Sequence, residues 1–206
     1  MLENLSAYWY LWLLLAVLII ITAVVCKKAY AASKRHSSEV RKKLAEKQRT
    51  EKLVSLYASP STQTIEDADP AELFEGLALS LEERCQKADD INKEFDSFTD
   101  GQKKIYSFYY LATDCKNESP SFFFRNSKKP LTEFAAEAAN DILDKDAAGI
   151  IKALYDCFDE DNESCSVIPE QITRLDSSFT EALNGEDLFT LGGNHIKSAA
   201  KEFASE

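Results

Sequence analysis

The residues of this chain that could do chemistry are five cysteines, two histidines and a carboxylate-rich stretch near 159–170. A thiolate nucleophile needs a base beside it. Nothing in the spacing brings His36 or His195 to Cys26, Cys85, Cys115, Cys157 or Cys165, and a histidine at a helix end or facing solvent is the commoner case. There is no C-x-x-C, no H-E-x-x-H and no Walker-type loop, and Gly192-Gly193 reads most economically as a helix C-cap. Carboxylates are so frequent that choosing a pair for acid–base work would be arbitrary. The nearest approach to a ligand site runs from Asp159. With Asp159 as position 1, Asp161, Glu163 and Glu170 fall at the carboxylate positions of an EF-hand loop. Ser164 then stands where the turn needs glycine, and Pro169 precedes the last ligand, so a solvated acidic loop is the better reading. Neither an enzyme nor a metal or other cofactor is expected.

Charge is distributed unevenly. The chain carries a net charge of -11, but residues 27–52 are basic and 53–206 carry -17. An acidic body repels nucleic acid and anionic lipid, so direct nucleic-acid binding is not expected. Its charge suits solubility or attraction of a basic protein surface. An odd number of cysteines without paired spacing is a poor disulfide framework, and the thiols read as small hydrophobes in a reducing compartment.

The elements follow from periodicity. The uncharged run 4–26 has the length of a single membrane-spanning helix, with Tyr8, Trp9, Tyr10 and Trp12 at its outer end and Lys27 and Lys28 closing it. A signal peptide cleaved near Ala29-Tyr30-Ala31 fits less well, because no basic residue precedes the run. The positive-inside rule then places the chain in the inner membrane as a single-pass protein, N-terminus outside and C-terminal domain cytoplasmic. Lys27, Lys28, Lys34, Arg35, Arg41, Lys42 and Lys43 would face the membrane surface. Residues 27–58 read as a basic helical stalk and 59–69 as a breaker-rich linker. The rest, 70–206, reads as an all-α domain. Asp69-Pro70 opens a helix with apolar positions Phe74, Leu77, Ala78, Leu81 and Cys85. A central helix starts at Thr99 and runs through Leu111, and Phe122-Phe123-Phe124 falls in the connection after it. Further helices span 130–143, 146–158 and 169–183, with a last one from Asn194. No segment shows strand alternation.

The segment Asp114-Cys115-Lys116-Asn117-Glu118-Ser119-Pro120-Ser121-Phe122-Phe123-Phe124-Arg125-Asn126-Ser127 resembles the signature of the bacterial DNA mimic protein domain family (nineteen-kilodalton type, C-terminal domain). That signature has an acidic residue, an asparagine with a glycine pair, and an aromatic cluster closing in Asn-Ser. Asp114, Asn117, Phe123, Phe124, Asn126 and Ser127 match it. Glu118 and Ser119 replace the glycines, and Pro120 stands where an aromatic is usual. The resemblance implies an all-helical, non-catalytic domain that imitates DNA towards a basic DNA-binding partner. The physics would be carboxylates on a rigid surface replacing phosphates. Asp156, Asp159, Glu160, Asp161 and Glu163 are the expected acidic surface. The rival reading is a structural or scaffold protein of the cell envelope without mimicry.

Overall fold

A computed structural model describes residues 9–158 and 169–205, with side chains along the first helix described at 12–20, 22, 27, 28 and from 40 onward. Every element among the described residues is helical, as the periodicity predicts. The chain divides into two compact units, Met1–Arg49 and Thr50–Glu206.

The first helix, α1, runs from Trp9 to Tyr57. It corrects the expectation of a membrane span, for no helix among the described residues is long and apolar enough to cross a membrane. Residues 4–8 of the expected span lie outside the described ones. The helix then continues unbroken through Lys27 and Lys28 into a charged stretch. The single-pass topology and the inner-membrane location fall with the span. Lys27, Lys28, Arg41, Lys42 and Lys43 have exposed side chains, while those of Lys34 and Arg35 lie outside the described set.

The second unit begins inside the last turns of α1, where Leu53 and Tyr57 are buried. Residues 59–69, expected as a linker, instead hold α2, Thr62–Asp67, whose Ile65 is wholly buried. Ser61 accepts the Thr64 N–H at 3.2 Å and starts this helix, so the serine that reads as a breaker works as a cap. Helix α3, Pro70–Lys87, opens as expected: Asp69 accepts the Glu72 N–H at 3.1 Å and Pro70 takes the first helical position. A short α4, Ile91–Asp96, is capped by Asp90. Helix α5, Asp100–Asn117, begins with a reciprocal box in which Thr99 and Gln102 cap one another's backbone.

Phe122-Phe123-Phe124 lies not in a loop but in α6, Pro120–Asn126, with Phe123 and Phe124 turned inward and Phe122 40% exposed. Three helices then appear near their expected bounds: α7, Leu131–Ile142; α8, Lys145–Cys157; and α9, Pro169–Leu183. Helix α10, Leu188–Ser198, starts six residues before the expected Asn194, because Asp187 accepts the Thr190 N–H at 3.0 Å. A short α11, Ala200–Phe203, follows.

Helix α5 is central, touching α3, α6, α7, α10 and α11. The most extensive packing joins α3 to α10, and Gly192-Gly193 makes it possible. Far from ending a helix, these glycines sit buried within α10. A Cβ on Gly192 would lie 2.6 Å from the Phe74 ring, and one on Gly193 would strike the Pro70 carbonyl. Phe74 anchors the main core, in ring contact with Phe108 and Phe189 at 5.9 and 5.5 Å. A smaller aromatic cluster of Phe95, Phe98 and Tyr106 packs around Leu81 and Cys85.

Candidate functional site

The C-terminal turn of α5, the start of α6, one face of α9 and the start of α10 surround a groove of about 390 Å³. Its floor is apolar: Phe179 is 2% exposed and Leu188 7%, with Leu183 and Phe189 half-buried beside them. Its rim carries Glu118, Asp176, Glu186 and Asp187 against one ammonium, Lys116.

Local chemistry puts these groups there. The turn after α9 passes through Asn184 and Gly185 at φ 49° and 83°, a left-handed pair that asparagine and glycine adopt most readily. The Glu186 N–H closes the turn on the Leu183 carbonyl at 2.8 Å. That reversal delivers Glu186 to the rim and Asp187 to the cap of α10.

Two of the four rim carboxylates hold the fold. Asp187 is bound to the Thr190 N–H and hydroxyl. Asp176, on α9, accepts the Ser121 N–H at 3.0 Å and its hydroxyl at 2.6 Å. Helix α6 has no cap from its own N-cap side chain, so a carboxylate from another helix satisfies its first turn. Glu118 and Glu186 are exposed and have no ion pair among the described residues.

The wall opposite is aromatic. The Phe189 ring is fixed by edge contacts with Phe74 at 5.5 Å and Tyr109 at 5.8 Å, and the Lys116 ammonium lies 5.3 Å from its centroid. Under the rim, burial pushes the Cys115 thiol well up, and the charges of Asp114 and Asp176 push it further. Burial likewise raises the Asp114 carboxyl. The Cys85 thiol is raised by burial too, although its bond with Tyr106 works the other way. Such thiols stay protonated at neutral pH and make poor nucleophiles. Among the described residues no group of three or more His, Cys, Asp or Glu could hold a metal ion.

The residues matching the DNA-mimic signature are not brought to one place. Asp114 and the exposed Asn117 stand at the end of α5, beside the groove. Phe123 and Phe124 belong to the core, where Phe124 stacks on Phe158 at 6.4 Å. Asn126 donates its side-chain N–H to the Phe122 carbonyl, and the Ser127 N–H closes α6 on Phe123. Of the expected acidic surface, Asp156 pairs with Lys152 at 3.5 Å. Asp159, Glu160, Asp161 and Glu163 lie outside the described residues, and with them most of the EF-hand-like stretch.

Sequence reasoning missed Asp176, because no local signal ties it to Ser121, which is 55 residues away. It also passed over Glu186-Asp187, although Asn184-Gly185 followed by Asp and x-x-Thr signals a turn and a cap. No protein-family model, curated protein or solved structure matches the chain. None of these comparisons bears on the resemblance to the DNA-mimic signature.

Proposed function

We propose that residues 50–206 form a non-catalytic protein-binding module that engages a basic protein surface by charge. One observation carries this reading: -17 on residues 53–206, displayed on a single packed helical unit. A field of that size steers a cationic partner and repels nucleic acid. Part of the acidity is structural, since Asp69, Asp90, Asp144 and Asp187 cap helices. Glu118 and Glu186 belong to the part that is displayed. The signature-like segment favours a partner that itself binds DNA.

The test immobilises the full chain, passes a DNA-free cell extract over it and elutes with rising salt. Basic DNA-binding proteins should leave the column as salt passes about 0.15 M, where the screening length falls to roughly 8 Å. Duplex DNA should compete for each of them. Bound proteins that ignore both salt and DNA would overturn the reading and favour an apolar scaffold contact.

A further inference from the structure

Resting on that reading, we propose that the groove between α5, α6, α9 and α10 is a docking slot for a short extended segment of the partner. One arginine or lysine side chain lies between Glu118 and Glu186 against the Phe189 ring, and one apolar side chain rests on Phe179.

Charge complementarity selects this occupant. Asp176 and Asp187 are already held by Ser121 and Thr190, which leaves Glu118 and Glu186 to meet a cation. The groove also shows what it accepts, because its aromatic wall already carries one. Lys116 sits over Phe189 at 5.3 Å, and a ring locked by two edge contacts offers its face without further ordering cost. Lys116 is thus an internal stand-in that a guest guanidinium would displace towards solvent. The floor excludes a purely ionic guest, since a polar side chain over Phe179 would lose its water without gaining a partner. At about 390 Å³ the groove is at the small end of ligand sites. That suits two side chains of an extended segment better than a folded surface.

The experiment measures binding of fluorescently labelled acetyl-Arg-Ala-Leu-Arg-Ala-Leu-amide to the full chain by anisotropy at low salt. Replacing Glu118→Gln with Glu186→Gln should weaken binding about tenfold, as loss of two exposed ion pairs would. The pair Glu133→Gln with Asp146→Asn removes equal charge elsewhere and should cost less than about twofold. Lys116→Ala should tighten binding about threefold by clearing the ring, and Lys201→Ala should tighten it less. A peptide with serine in place of leucine should bind about tenfold more weakly. Equal weakening by both carboxylate pairs, or equal tightening by both lysine variants, would overturn the slot while leaving recognition by overall charge intact. If the peptide does not bind and no basic protein is retained by the immobilised chain, both readings fail together.

Discussion

Gly193→Ala should destabilise the second unit by about 2 kcal/mol, although the same substitution usually strengthens a helix. In a helix interior, alanine is favoured over glycine by about 1 kcal/mol. At Gly193 the new methyl would run into the Pro70 carbonyl. That carbonyl is backbone in the first turn of α3, so neither a rotamer change nor a swing of a side chain relieves the clash, and the two helices must separate. Overpacking costs about 1–3 kcal/mol, and an immovable neighbour puts this site at the upper end, which leaves a net loss near 2 kcal/mol. Gly149 provides the control, because in α8 a Cβ there meets nothing within 4 Å. Gly149→Ala should therefore keep the full gain of about 1 kcal/mol. For a unit of this size each kcal/mol moves the midpoint by about 2–4 °C. The two variants should thus differ by roughly 6–12 °C with opposite signs. Thermal melts followed by near-ultraviolet circular dichroism of the buried tyrosines would measure it. A Gly193→Ala variant as stable as Gly149→Ala would refute the close crossing of α3 and α10.

Other expectations follow from single contacts. Asp176→Ala should cost about 1–3 kcal/mol by orphaning the Ser121 N–H, and a double-mutant cycle with Ser121→Ala in urea melts should show coupling. Asp114, raised by burial and placed in the last turn of α5, burdens the fold when ionised. Asp114→Asn should stabilise at neutral pH by about 0.3–1 kcal/mol from the helix dipole alone. Because the folded carboxyl titrates above its unfolded value, this advantage should shrink as pH falls through the folded value and be gone below the ordinary aspartate range, which melts at stepped pH would reveal. Lys104, bound to Asp141 at 2.6 Å, is raised chiefly by that bond. Its contribution should be complete below the ordinary lysine value and disappear as pH rises through the folded one. Lys104→Met should cost up to about 1 kcal/mol at neutral pH.

Legibility tracked how local each cause was. Asp69-Pro70 and Pro169 announced their helices because cap and ring act within one turn. Gly192-Gly193 misled because glycine has two uses, ending a helix or letting another helix approach. Only the presence of Phe74 and Pro70 across the gap decides between them. Ser61 and Ile65 were hidden in a segment whose composition resembles a linker, since one cap and one buried isoleucine leave no periodicity to read. The run after Asn4 reads as a span by length and apolarity, yet no helix among the described residues is long and apolar enough to cross a membrane. At the candidate site, the Glu186-Asp187 turn was within reach of local rules. The Asp176–Ser121 contact and the Lys116–Phe189 pair were not, because each joins helices distant in sequence.

The way α2 meets the end of the unit bears on how the protein is made. The Ser205 N–H donates to the Pro60 carbonyl at 2.9 Å, and the Lys197 ammonium donates to the Glu66 carbonyl at 3.0 Å. The first short helix of the unit is therefore completed by residues far downstream, 131 positions on in the case of Lys197. A ribosome adding about 5–20 residues per second needs on the order of 10 s to bring the second set out after the first. During that interval Ile65 and the face of α3 that waits for α10 have no permanent cover, and a nascent chain stalled before Leu188 presents them as a target for a holding chaperone or a protease. Quality control thus gains a checkpoint at the emergence of α10, the point from which closure of the unit becomes possible.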